Sequence, residues 1–386
     1  MKHVGAYVQI PFCQTKCTYC NFHTGVFSKE LYAPYVRAVC REIAEYPRLL
    51  RENGIASVPD SAVDTLYFGG GTPSLLEPSN LAQIIEAIRA AFPSQFDEVT
   101  LEADPETISP ENASAWLDAG FNRISMGVQS FDDAELRAAG RMHRRADVFR
   151  ATKILRDAGF ANLSFDLIAG LPHQTDRSWQ DSVEQLLRLR PEHVSIYMME
   201  IDEGSRLGLE VLQSGERYSA KALPTDDAMA TYYEQGCAKL AAGGYEHYEI
   251  SNWALLGFES RHNLKYWRRE PYFGFGAGAH SFNGSQRWAN AHDPAAYADT
   301  VLRGRFPVEQ LEMVSQGQAL EEELFLGLRQ LAGIDLKCIE EKYGASLRPR
   351  VDDLVAQGLV EWNGPRLRLS PERLTVSNEV FVHLLG

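Results

Sequence analysis

The stretch Pro11-Phe12-Cys13-Gln14-Thr15-Lys16-Cys17-Thr18-Tyr19-Cys20-Asn21-Phe22 decides how this chain is read. Its C-x3-C-x2-C spacing can wrap three thiolates around one face of a cubic iron–sulfur cluster, leaving one iron with no protein ligand. An electron-transfer 4Fe–4S cluster is closed by a fourth cysteine. An iron with an open position can bind and activate a ligand, much as an open position marks a catalytic zinc. Structural zinc is the competing reading, but a closed zinc site needs a fourth ligand, and His23 is the nearby candidate. A disulfide framework competes less well. The other cysteines, Cys40, Cys237 and Cys338, are isolated and read as small buried hydrophobes. Met1 to Phe12 lacks a basic segment followed by an apolar stretch. It reads as a strand rather than a secretory leader, which implies a cytoplasmic protein in a reducing compartment.

The 386 residues can hold one large domain and a smaller one. Hydrophobic content of 45% and charged content of 23% are ordinary for a globular protein. A net charge of −14 argues against general nucleic-acid binding, which needs a basic field. No apolar run approaches the roughly 20 residues that span a bilayer, which leaves room only for peripheral membrane association.

Strand-like runs at Ala6–Ile10, Thr65–Phe68, Val99–Glu102, Arg123–Val128, Leu163–Ile168 and Val194–Met199 alternate with helical patterns. The clearest of these is the stripe Leu81, Ile84, Ile85, Ile88 and Phe92. Two others hold Val148, Ile154 and Leu155 before Gly159, and Trp179, Val183, Leu186 and Leu187. Such alternation implies parallel strands with helical crossovers. The fold class expected is α/β, a partial (β/α)6 barrel over residues 1–205, with a closed eight-unit barrel as the alternative. Ligands of such folds sit at the carboxyl ends of the strands. The cysteine loop, Gly69-Gly70-Gly71-Thr72-Pro73, Glu102-Ala103-Asp104-Pro105, Gln129-Ser130 and Asp166 all fall on that rim.

Residues 206–316 read as an extension of the barrel, with one further strand at Tyr245–Ile250 and little periodicity over 251–307. Residues 317–386 read as a small α+β domain resembling a winged helix, with a hairpin turning at Asn363-Gly364. Its eight Lys/Arg against eleven Asp/Glu are wrong for phosphate contacts, so it reads as a cap.

The cysteine spacing in a loop after the first strand resembles the radical S-adenosylmethionine (SAM) superfamily. In that superfamily SAM chelates the open iron, and one electron from the cluster releases a 5′-deoxyadenosyl radical. The later motifs resemble the coproporphyrinogen dehydrogenase and HemW group. That resemblance implies SAM contacts from Tyr7, Gly70, Gly71, Thr72, Glu102, Gln129, Arg141 and Asp166, and cluster ligation by Cys13, Cys17 and Cys20. It also implies a second SAM position, lined by Gly71, Thr72, Gln129, Arg141 and Asp166. The residue types suit this ligand. Carboxylates complement its sulfonium and ammonium, and a guanidinium its carboxylate.

Within that group the coproporphyrinogen dehydrogenases carry a further cysteine where this chain has Phe22, and a long segment before the cluster motif where this chain has twelve residues. Both departures resemble the HemW haem-chaperone family, as does His262-Asn263-Leu264-Lys265-Tyr266-Trp267, which looks like its H-N-x-x-Y-W motif. Gly276-Ala277-Gly278-Ala279-His280-Ser281 is shared by the group, whereas Ser260 stands where many members have cysteine. The resemblance implies a protein that binds haem near His262 and delivers it to client haemoproteins, with an electron donor as a further partner. Imidazole is a good haem ligand, and Tyr266 and Trp267 can pack on a macrocycle. Structural roles for His262 and His280 stay open. So does a radical SAM oxidoreductase acting on a tetrapyrrole, as in coproporphyrinogen III decarboxylation, and a haem-degrading relative.

Overall fold

The computed structural model describes residues 2–58 and 61–385. Six strands follow one another in parallel: β1 (Lys2–Ile10), β2 (Ser61–Gly70), β3 (Ser94–Ala103), β4 (Arg123–Gln129), β5 (Leu163–Ala169) and β6 (His193–Met198). Helices 32–52, 78–91, 110–119, 145–158 and 176–189 return the chain between them. The helices form where the apolar stripes require. Leu81, Ile84, Ile85 and Ile88 are fully buried on one face of helix 78–91, and Trp179, Val183 and Leu186 on one face of helix 176–189. Gly159 ends helix 145–158 in the left-handed conformation (φ 110°) that a side chain would strain.

The sheet does not close. β1 lies between β2 and β9 (Tyr272–Phe275), which is also parallel to it. β6 lies between β5 and the antiparallel β8 (Asn252–Ala254), with β7 (Glu246–Glu249) outside it. β10 (His280–Phe282), β11 (Gln286–Asn290) and β12 (Val308–Met313) extend the sheet beyond β9. β1 and β6 are therefore capped by added strands and never meet, so the six-unit open form holds and the eight-unit barrel does not. Residues 251–307, aperiodic in sequence, supply four of those strands. Each has three to five residues, too few to display an alternation.

Helices 316–329, 336–343 and 348–356 precede the hairpin of β13 (Val360–Asn363) and β14 (Arg366–Leu369), which is the expected winged-helix order. Asn363 pairs with Arg366, so the turn is Gly364-Pro365, one residue later than expected. Cys40 and Cys237 are only half-buried and Cys338 is exposed, so none of the three is the fully buried residue expected. Among the described residues no helix is long and apolar enough to cross a membrane.

Candidate functional site

The cysteine loop is held from inside by Phe12, which is fully buried and stacks on Tyr32 with 4.0 Å between ring centres. Burying such a ring contributes roughly 1.5–3 kcal/mol, enough to fix where the loop starts. The loop then closes on itself. The Cys13 N–H donates to the Gly25 carbonyl (2.9 Å) and the Gly25 N–H to that of Pro11 (3.0 Å). Its outer flank is tied by Thr18 N–H to Ala139 O (3.0 Å) and by Leu207 N–H to Thr18 O (2.8 Å). Cys13, Cys17 and Cys20 are half-buried free thiols. Burial pushes the Cys13 thiol up to about 11, with Cys20, Asp104 and Cys17 adding to the rise.

The glycine segment after β2 is bonded to this loop as one unit. The Gly71 N–H donates to Ile10 O (2.8 Å) and the Thr72 N–H to Phe12 O (2.7 Å). A Cβ on Gly71 would stand 2.6 Å from the Phe12 carbonyl oxygen and 2.9 Å from the Cys13 sulfur. Only glycine permits that approach. The Thr72 hydroxyl donates to Asp104 (3.0 Å), and Asp104 forms an ion pair with Arg141. Arg141 also donates to the Cys17 sulfur (3.5 Å) and to the Gly127 carbonyl (3.0 Å). Gln129, at the end of β4, has φ 64°, a strained setting for a non-glycine residue and one that recurs at functional sites.

Two buried carboxyls complete the rim. Glu102 accepts from the Tyr67 hydroxyl (2.9 Å) and the Gly70 N–H (3.0 Å). Burial, with Asp166 and Asp104 adding, pushes its pKa to about 7. Burial pushes Asp166 to about 6, against the pull of Ser195 and of the Arg123 and Arg141 charges.

One cavity of about 570 Å³ gathers Cys13, Cys17, Cys20, Gly70, Gly71, Thr72, Glu102, Gln129, Arg141 and Asp166. Tyr7 and His262 are outside its lining. Tyr7 lies beneath it, donating to Gln9 (2.7 Å) and stacking on Tyr67. His262, which the resemblance places near haem, is buried away from this cavity. The ring is 1% exposed. Its Nδ1 faces the Thr65 hydroxyl (3.0 Å) and its Nε2 the Tyr266 hydroxyl (2.9 Å). Burial, Lys265 and Arg123 hold its pKa down to about 3. It plugs the sheet beside Gly5 and Thr65, toward the start of the strands and away from the rim. His280 is exposed on β10.

Sequence reasoning passed over Asp104 as a site residue, although its place on the rim marked it. It also missed the cavity's lining by Arg329 and by Leu374, Thr375, Ser377 and Asn378, which no local pattern connects to the cysteine loop.

Fold and site together define a radical SAM protein. Residues 7–186 match the radical SAM superfamily and residues 314–372 the HemN C-terminal domain. The structure superimposes on coproporphyrinogen III oxidase (HemN) from Escherichia coli, described as a radical SAM enzyme, with a TM-score of 0.81 over 99% of this chain and 89% of that one. At 20% identity this likeness speaks for the fold. The chain belongs to the HemW family. It is 37% identical to the protein named heme chaperone HemW of Bacillus subtilis, over 99% of both chains. To its namesake in Escherichia coli it is 31% identical over 91% of this chain and 90% of that one. It is 34% identical to bovine radical S-adenosyl methionine domain-containing protein 1, mitochondrial, over 98% of this chain and 87% of that one.

Proposed function

We propose that this protein is a haem chaperone on a radical SAM scaffold, taking haem as cargo and passing it to client haemoproteins in the cytoplasm. The full-length similarity to proteins named heme chaperone carries this reading. Phe22, in place of the additional cysteine of the coproporphyrinogen dehydrogenases, weighs the same way.

The residues present fit a 4Fe–4S cluster and SAM. Three free thiols on one pinned loop suit a cluster with one open iron, and Gly71 lets the glycine segment pack directly against that loop beside the Cys13 sulfur. Glu102 and Asp166 offer negative charge to a sulfonium and an ammonium once they ionise. Arg141 neutralises charge beside Cys17. When bound, the cluster supplies an electron and SAM a cleavable sulfonium. Glu102, oriented by the Tyr67 hydroxyl and the Gly70 N–H, and Arg141 would hold the ligand, and Leu374, Thr375, Ser377 and Asn378 line the same cavity.

The test is anaerobic reconstitution, haem titration, and transfer to an apo-haemoprotein, alongside a turnover assay with coproporphyrinogen III. Haem uptake and transfer without a decarboxylated product is the expected result. Multiple turnovers to that product would replace the chaperone reading with an oxidoreductase.

A further inference from the structure

We infer that His23 is the axial ligand of the haem, in a second pocket on the outer side of the cysteine loop, with His292 as the residue that positions it. This rests on the haem-cargo reading above.

The pocket, of about 360 Å³, is walled by Lys16, Phe22, His23, Phe27 and His292. His23 comes three residues after Cys20, and His292 two residues after β11. Their rings lie against one another, with centres 4.0 Å apart and planes inclined by 32°. The pair is thus assembled from segments far apart in sequence, over an open cavity. The two rings are too close to take opposite faces of one iron, so one ligates and the other supports it. His23 is exposed and free to ligate. His292 is half-buried, and its Nδ1 is buried with no hydrogen-bond partner among the described residues. Packing and stacking alone keep that ring in place. By contrast His262 and His193 spend both ring nitrogens within the protein.

The surroundings suit a flat, apolar, doubly anionic macrocycle. Phe22 in its wall is 65% exposed, and Phe27 adds a second aromatic ring beside the polar Asn21 and Thr24. Lys16 can pair with a propionate. The Asp293 carboxylate in the same wall is engaged, capping helix 294–302 through the Ala296 N–H (2.8 Å). Burial, His292 and Lys16 hold the pKa of His23 below its ordinary value, which keeps the imidazole neutral and able to ligate. Among the described residues no three His, Cys, Asp or Glu side chains close on a bare metal ion. Haem iron, already held by its macrocycle, needs one axial imidazole. Phe22 also lines the cluster cavity, so the cargo would rest against the wall of the SAM site while keeping one edge open for release.

The experiment is a ferric haem titration of the full-length, cluster-reconstituted protein, read by Soret absorbance and electron paramagnetic resonance. His23→Ala should weaken haem binding by about tenfold or more and lose the imidazole-ligated signature, while cluster content and SAM affinity stay as in the parent. Added imidazole should restore the signature. His292→Ala should weaken binding less, and His292→Phe, which keeps a ring to stack on, should recover it. His262→Gln should leave the spectrum unchanged. Unaltered affinity and spectrum in His23→Ala would overturn this assignment while leaving the chaperone reading intact. No haem uptake by the parent protein would overturn both.

Discussion

Arg141 stands with one guanidinium nitrogen 3.5 Å from the Cys17 sulfur and the other paired to Asp104, so a single side chain joins the cysteine loop to the ends of β3 and β4. Its side chain is 10% exposed and that of Asp104 22%. Removing the cation strands a mostly buried carboxylate. Arg141→Ala should cost about 3 kcal/mol in urea unfolding of the cluster-free protein. It should also weaken SAM binding, measured by calorimetry after reconstitution. A stability change below about 1 kcal/mol would mean that the pair is solvated like an ordinary surface bridge.

Gly71→Ala places a methyl group 2.6 Å from a backbone oxygen that cannot swing aside. The cysteine loop must move, and iron and sulfide retained after reconstitution should fall by more than half. Gly317→Ala is the control. It has open space around it and lies in helix 316–329, so it should gain up to about 1 kcal/mol and leave the cluster untouched.

Glu102 and Asp166 keep their protons in the fold up to about pH 7 and about pH 6, against ordinary values of 4.5 and 3.8. The native state therefore binds more protons than the unfolded chain between about pH 4 and pH 7, and stability declines as pH rises through that window. Glu42, pushed to about 7 by its own burial, adds to the slope. Glu102→Gln should flatten the decline. A cationic ligand wants the ionised carboxyl, so SAM affinity should climb from pH 5.5 to 7.5 in the parent. In the Glu102→Gln variant it should be about tenfold lower than the parent at pH 7.5 and climb less over the range, with Asp166 still titrating.

His262→Ala should act on the fold rather than on haem. It empties a buried ring site and orphans the Thr65 and Tyr266 hydroxyls, a loss of about 2–4 kcal/mol read by thermal or urea unfolding. A stable variant with a changed Soret band would instead restore His262 to the haem site.

The six parallel strands were legible because each is an apolar run and three of them lead into helices with a clear apolar stripe. The rim was legible because parallel topology sends unusual polar residues to one end. Of the flanking strands β7 was legible, at Tyr245–Ile250, whereas β8 to β12 show little period of their own and gain stability from pairing at the edges of a sheet already formed. Tyr7 and His262 lie where only three-dimensional packing could put them. Their neighbours in sequence marked them, but three-dimensional packing placed both beneath the cavity, among Gln9, Tyr67 and Thr65. Leu374, Thr375, Ser377 and Asn378 join the site only through the docking of the C-terminal domain, a non-local event that no sequence window contains.

β1 is among the last strands of the sheet to be completed. β1 has β2 on one side early in synthesis, but its other edge stays bare until Tyr272–Phe275 has left the ribosome. Throughout that interval the cysteine-bearing loop hangs from a strand with a free edge, the kind of surface that recruits stray chains. Metal loading before release of the full polypeptide would thus seize an unfinished cradle. The order of assembly built into this topology favours completing the sheet through Tyr272–Phe275 first and receiving iron afterwards.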